Sequence, residues 1–312
     1  MTHTSKTILF FGTEDFSATT LEELIRKNYS IGAIITKPDT RRGRSKELVP
    51  PQVKLLGEAH GIPVWQPRKL SHIAGDISAF DNPVGVLVSY GKIIPQSIID
   101  LFSPGIINLH PSLLPKYRGP SPIETAVLNG DSETGISIMQ LSAAMDAGPV
   151  HLKETIPLQG NETAPELYES LGARGAELLA SCLPQILDGT LPAVPQDSDS
   201  ASYCALITKE DGQIDWQRQT AEQIERKVRA YSDWPQCRAA IGGIEVIITA
   251  THLVASENGA PGTLSVLRNE ETPSLVVATQ KASLSIDRLK PIGKKEMPIG
   301  AFLAGYSNKL GL

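Results

Sequence analysis

Short apolar runs alternate with amphipathic stretches through the first third of the chain. Residues 7 to 12 (TILFFG), 31 to 36 (IGAIIT), 84 to 88 (VGVLV) and 106 to 110 (IINLH) are rich in β-branched and apolar side chains and are bounded by turn residues, which predicts strands. Between them, Thr19 to Asn28 and Gln52 to His60 have helical spacing. This alternation predicts parallel βαβ units with helices on both faces of the sheet, a doubly wound, Rossmann-like α/β domain. Ligands of such domains gather beyond the carboxyl ends of the strands, so the residues that close each run, His110 among them, draw attention first.

A long helical pattern from about Ala164 to Leu187 ends in Asp188-Gly189. The next stretch, TLPAVPQDSDSAS, is rich in Pro, Ser and Asp, lacks apolar periodicity and reads as an exposed connector. The expected organisation is a first domain over residues 1–189, a linker over 190–208 and a second domain over 209–312. In the second, a helical stretch at Ala221 to Tyr231 precedes strand-like runs at Glu245 to Thr251, Gly262 to Val266, Ser274 to Ala278 and Ala282 to Ile286. That spacing suggests a small antiparallel barrel. A length of 312 residues also favours two domains over one.

Composition excludes several classes. With 41% hydrophobic and 20% charged residues the chain is an ordinary globular one. The apolar run near the amino terminus is too short for a membrane span or a signal peptide, so no membrane association is expected. Cys182, Cys204 and Cys237 are scattered, odd in number and free of CxxC spacing; neither a disulfide framework nor a zinc site follows, and a cytoplasmic compartment fits best. The net charge of -5 argues against indiscriminate nucleic-acid binding, but residues 209–312 hold 13 basic and 12 acidic side chains, so the acidic excess is amino-terminal. No GxGxxG or GxxxxGK[ST] follows the first strand, which removes the main signal for a dinucleotide or P-loop site.

The chemistry gathers in residues 105–122, GIINLHPSLLPKYRGPSP. Asn108 and His110 are two apart on a predicted strand, so their side chains emerge on one face while Leu109 turns to the other. Pro111 keeps His110 extended. An amide donor and an imidazole side by side can serve the oxyanion that forms when an acyl or formyl carbon is attacked by an amine. Asp146, just after the apolar run GISIMQL, could orient the histidine, favour its protonated form and collect a proton. On residues alone the alternatives stay open: a strand-end histidine satisfied by ordinary hydrogen bonds, and an Asp-Ala-Gly turn.

Asn108-Leu109-His110-Pro111-Ser112-Leu113-Leu114-Pro115 resembles the signature of folate-dependent formyltransferases. The resemblance implies that Asn108 and His110 bracket the transferred formyl group, that Asp146 within Asp146-Ala147-Gly148 completes a triad, and that Ser112, Leu113, Leu114 and Pro115 lie at the folate site. Tyr90 and Gly91, in Ser89-Tyr90-Gly91-Lys92-Ile93-Ile94-Pro95, would line the pterin pocket. The formyl donor would be 10-formyltetrahydrofolate, and no metal is required. Arg118-Gly119-Pro120-Ser121-Pro122-Ile123 departs from the family's usual Arg-Gly-Ala-Ala-Pro-Ile, and the residues around Asp146 differ too, leaving the triad intact.

Other regions point to the acceptor. Arg41, Arg42, Arg44 and Lys46 stand in a Gly-containing loop after the second strand; charge alone favours a solvated loop, but the segment resembles one that methionyl-tRNA formyltransferases turn against the acceptor arm. ITKEDGQIDW at 207–216 and Leu289-Lys290-Pro291-Ile292-Gly293-Lys294-Lys295-Glu296-Met297 resemble the opening and close of the carboxyl-terminal domain of the same enzymes, an open barrel akin to an OB-fold. The resemblance therefore implies initiator methionyl-tRNA as partner, with Lys209, Lys290, Lys294 and Lys295 as further phosphate contacts or, read singly, as ordinary surface lysines, and a monomer is expected. A sugar-nucleotide amine or glycinamide ribonucleotide is the alternative acceptor.

Overall fold

A computed structural model describes residues 6–42, 47–255, 259–268 and 273–310. Through the first part of the chain run β1 (Ile8–Gly12), α1 (Asp15–Arg26), β2 (Ile31–Ile35), β3 (Thr40–Arg42), β4 (Glu47–Val49), α2 (Gln52–Ala59), β5 (Val64–Trp65), α3 (Ala74–Ser78), β6 (Val84–Val88), α4 (Gln96–Ile99), β7 (Ile106–His110), α5 (Pro122–Asn129), β8 (Glu133–Gln140), β9 (Val150–Pro157) and α6 (Ala164–Leu187). The rest forms α7 (Ala221–Ala230), β10 (Cys237–Ile241), β11 (Ile244–Val254), β12 (Leu264–Arg268), β13 (Pro273–Ala278), β14 (Ser283–Pro291), β15 (Met297–Pro298) and α8 (Ile299–Leu310).

Two compact units result: one takes in the chain up to Pro122, Glu133–Pro157 and Leu167–Ala205, the other Ile123–Ser132, Leu158–Glu166 and the chain from Leu206 onward. The first is built on a seven-stranded sheet of order β5-β2-β1-β6-β7-β8-β9. The four predicted strands are its parallel centre: β1 pairs with β2 and β6, and β6 with β7. Ile8, Leu9, Phe10 and Phe11 are all fully buried, as continuous apolar runs must be when helices cover both faces. Outside those four strands one edge differs: β8 and β9 are antiparallel to their neighbours. Helix α1 begins at Asp15, four residues before its predicted start, with an acidic first turn suited to the helix dipole.

Helix α6 spans the predicted residues although Pro184 lies inside it. Proline has no N–H for the carbonyl four residues earlier. That carbonyl, of Ala180, instead accepts a 2.6 Å hydrogen bond from the Tyr29 hydroxyl.

In the second unit the antiparallel order is β10-β11-β14-β13-β12, with β15 on β14. Among the described residues no pairing joins β10 to β12, so the sheet is open. Val246, Ile248, Leu275, Val277, Leu284, Ile286 and Phe302 form its buried side. Helix α7 starts with a full capping box between Thr220 and Gln223, and its Arg226 and Arg229 donate to the carbonyls of Asn129 and Glu162.

Candidate active site

The site begins at the carboxyl end of β7. Asn108 and His110, on one face of that strand, are 4% and 5% exposed. The ring of His110 is held by its Nε2, which donates to the carbonyl of Tyr117 at 2.9 Å; a carbonyl only accepts, so Nε2 carries the hydrogen. Nδ1 then faces Asp146, whose Oδ2 lies 3.8 Å away. This is an ionic distance and not a direct hydrogen bond. The Tyr117 carbonyl fixes one side of the imidazole, and the Asp146 carboxylate stands beside the other nitrogen. Among the described residues, no side chain or backbone group engages the Asn108 carboxamide.

Asp146 is not at a strand end. It sits in the connection between β8 and β9 with φ +47, and its Oδ2 accepts the Gly119 N–H at 2.8 Å. Gly119 itself has φ +121, a conformation open to glycine and strained for other residues.

Ser112 to Pro115 form a turn whose polar groups are spent internally. Ser137 of β8 donates to the Ser112 carbonyl at 2.7 Å and accepts the Leu114 N–H at 3.0 Å. The Ser112 hydroxyl donates to the Lys116 carbonyl and Lys153 to the Leu114 carbonyl, both at 2.6 Å. Such a turn offers a ligand fixed shape more than free hydrogen bonds. Tyr90, expected to line a pocket, is 1% exposed and packs edge-on against Phe11. Its ring belongs to the core; burial pushes its phenol up to about 12, and its hydroxyl has no partner among the described residues. Gly91 follows with φ +67.

Of the basic segment expected as a loop, the described residues on either side form a two-stranded ribbon in which Arg41 pairs with Leu48 and Arg42 with Glu47. Arg41 is exposed, whereas Arg44 and Lys46 lie outside the described residues. Asp39 anchors the ribbon's base: hydrogen bonds from Lys54 and then Gln66 hold its carboxyl below the usual range. Lys209, Lys290, Lys294 and Lys295 belong to the second unit.

Residues 190–208, read from sequence as an exposed connector, return to the site as far as Cys204. Val194 and Val150 exchange backbone hydrogen bonds of 2.8 and 2.9 Å. Ser202 accepts from the N–H groups of Tyr117 and Arg118, and Cys204 donates its N–H to the Arg118 carbonyl. The segment also brings in Gln196, whose amide nitrogen donates to the carbonyls of Asp146 and Gly148. Arg118, 3% exposed, donates to Gln196 and to the Tyr203 hydroxyl. Gln196 carried no signal in the sequence, and Arg118 stood out only as part of the Arg-Gly motif, because their partners are 48 to 85 positions away.

Comparison with known proteins places this geometry in context. Residues 6–183 match the family model described as formyl transferase, and residues 206–307 match that of the formyl transferase C-terminal domain. The chain is 37% identical over 307 residues to the methionyl-tRNA formyltransferase of Geobacter metallireducens, covering 98% of this chain and 97% of that one. It is equally similar, 37% over 308 residues, to the enzyme of the same name from Halalkalibacterium halodurans, covering 98% and 96%. Among solved structures it shares the fold of WlaRD, a sugar 3N-formyl transferase, with TM-score 0.67 and 18% identity over 94% of this chain and all of that one. HypX from Aquifex aeolicus in complex with tetrahydrofolic acid superposes with TM-score 0.64 at 18% identity, over 96% of this chain and 47% of the other. The chain belongs to the formyl transferase family, and within it to the methionyl-tRNA formyltransferases.

Proposed function

We propose that this protein transfers the formyl group of 10-formyltetrahydrofolate to the amino group of methionyl initiator tRNA. The observation that carries the reading is His110, buried at the end of a central strand between the Tyr117 carbonyl and Asp146, beside an uncommitted Asn108 carboxamide. The folate supplies the formyl carbon; the protein positions it, stabilises charge and moves protons. Asn108 Nδ2 and, in the protonated ring, His110 Nδ1 donate to the formyl oxygen as negative charge builds there. The Asp146 carboxylate stabilises the imidazolium, takes the proton that the amine loses as its nitrogen bonds to the formyl carbon, and returns it to the folate nitrogen as the bond from that nitrogen to the formyl carbon breaks.

The folate fits the residues present. The Ser112–Pro115 turn, braced by Ser137 and Lys153, supplies a rigid wall. Arg41, Arg42, Arg44, Lys46 and Lys209 would neutralise tRNA phosphates. Cys182, Cys204 and Cys237 are buried thiols in no disulfide among the described residues, which suits the reducing cytoplasm. The test is a transfer assay comparing charged initiator tRNA, glycinamide ribonucleotide and a sugar-nucleotide amine as acceptors. Formylation of the tRNA alone is expected; preference for either small amine would overturn the reading.

A further inference from the structure

We infer that Gln196 is a positioning residue for the reaction, acting through the main chain of Asp146, with Arg118 setting its amide. This rests on the reading of Asp146 as part of the reacting centre. Gln196 Nε2 donates to the Asp146 carbonyl at 2.8 Å and to the Gly148 carbonyl at 2.7 Å. Its Oε1 accepts from Arg118 Nε at 3.0 Å and Nη2 at 2.9 Å. Two amide hydrogens and two oxygen lone pairs are thereby all used. The amide has one possible orientation, since guanidinium groups only donate and carbonyls only accept.

The clamp brackets residue 147 and so fixes the turn on both sides. Asp146 needs such a hold, because a non-glycine residue at φ +47 persists only where its surroundings enforce the conformation. The hold closes on itself. The Asp146 side chain is bound by the Gly119 N–H at 2.8 Å, and Gly119 adjoins Arg118, whose side chain grips Gln196. Arg118 meets no carboxylate among the described residues; Gln196 Oε1 and the Tyr203 hydroxyl and ring take up its charge. A buried charge so placed polarises the Gln196 amide and strengthens its donation to the turn. Gln196 is itself placed by the two backbone hydrogen bonds between Val194 and Val150.

The experiment measures steady-state transfer by Gln196→Leu and Gln196→Glu, each alone and combined with Asp146→Asn, with melting curves to check the fold. Glu keeps the shape and the Arg118 pairing but sets acceptors against two carbonyls, so it serves if the Leu variant does not fold. Loss of the clamp lets Asp146 drift by something like an ångström, so kcat should fall about 100-fold, with KM for both substrates unchanged. In the Asp146→Asn background the same substitutions should cost less than about threefold, because the residue they position no longer works. Equal losses in both backgrounds, an unchanged kcat, or a rise in KM alone would overturn the inference. Wild-type turnover by Asp146→Asn would remove the reading of the reacting centre and this inference with it, whereas a crippled Asp146→Asn with additive Gln196 losses removes the inference alone.

Discussion

Replacing Gly148 with alanine adds one carbon to the turn that carries Asp146, and the cost can be worked from distances. A Cβ there would lie 1.9 Å from the Gln140 carbonyl oxygen and 3.2 Å from the Met139 methyl. The methionine end can swing away. The carbonyl cannot, because Gln140 ends β8 and its N–H is bonded to the Pro149 carbonyl at 2.9 Å. Carbon and oxygen tolerate no closer than about 3.3 Å, so the turn must retreat by about 1.4 Å. Asp146 is two residues away, with its Oδ2 set 3.8 Å from His110 Nδ1. A displacement of about 1 Å in reacting groups costs about 100-fold in rate, or about 2.7 kcal/mol of barrier. Overpacking should also remove about 1–3 kcal/mol of stability. Transfer kinetics and a melting curve test both: kcat should fall about 100-fold, KM for the folate should stay within about twofold, and Tm should drop. A kcat within threefold of wild type at unchanged Tm would refute the reasoning, since the turn would then have absorbed the methyl without moving Asp146.

Asn108→Ala and His110→Ala each remove a donor to the developing charge and should lower kcat by about 100- to 1000-fold; a loss below tenfold in single-turnover rates would take that residue out of the mechanism. Ser137→Ala strips the acceptor from the buried Leu114 N–H and should cost about 1–3 kcal/mol in urea unfolding, with no change in the midpoint counting against the bracing of the turn. Neutralising Arg41, Arg42 and Arg44 together should raise KM for tRNA and flatten its salt dependence by about one unit of slope per lost phosphate contact; an unchanged slope would remove the ribbon from the account. Burial pushes the thiols of Cys182 and Cys237 up to about 11 and about 12 from an ordinary 9.0. Folded values above unfolded ones give stability that is fully present below pH 9 and lost as pH rises towards 11 and 12. Tm should therefore fall across that window, and less steeply in Cys237→Ala; an identical slope would contradict the assignment.

The parallel centre of the first sheet was legible because β1, β2, β6 and β7 are buried on both faces and so appear as unbroken apolar runs. The two-residue β5 is too short to register, and β9 carries Lys153, Glu154 and Thr155 along a half-exposed edge, which blurs any pattern. Chain direction is not written in periodicity, so β8 could be recognised as apolar but not as antiparallel. In the second unit β11 to β14 were visible to within a few residues, whereas β10, β15 and α8 were missed. The pairing of Asn108 with His110 followed from strand geometry alone. What held the histidine did not, since the Tyr117 carbonyl is a backbone group that every sequence possesses. Gln196 was hidden for a related reason: it acts on carbonyls, from a segment whose composition reads as solvent-exposed.

The return of residues 190–205 to the first unit has a consequence for how the protein is made. A chain emerging from the ribosome completes the sheet and α6 by residue 187, yet Gln196, Ser202 and Cys204 are still to come. At about 5–20 residues per second those last residues follow within seconds, and until then the turn bearing Asp146 lacks its clamp. An enzyme fragment cut at residue 189, where the helical pattern stops, would for the same reason hold a finished sheet and an unfinished centre. The shortest piece able to carry the chemistry should extend at least to Ala205.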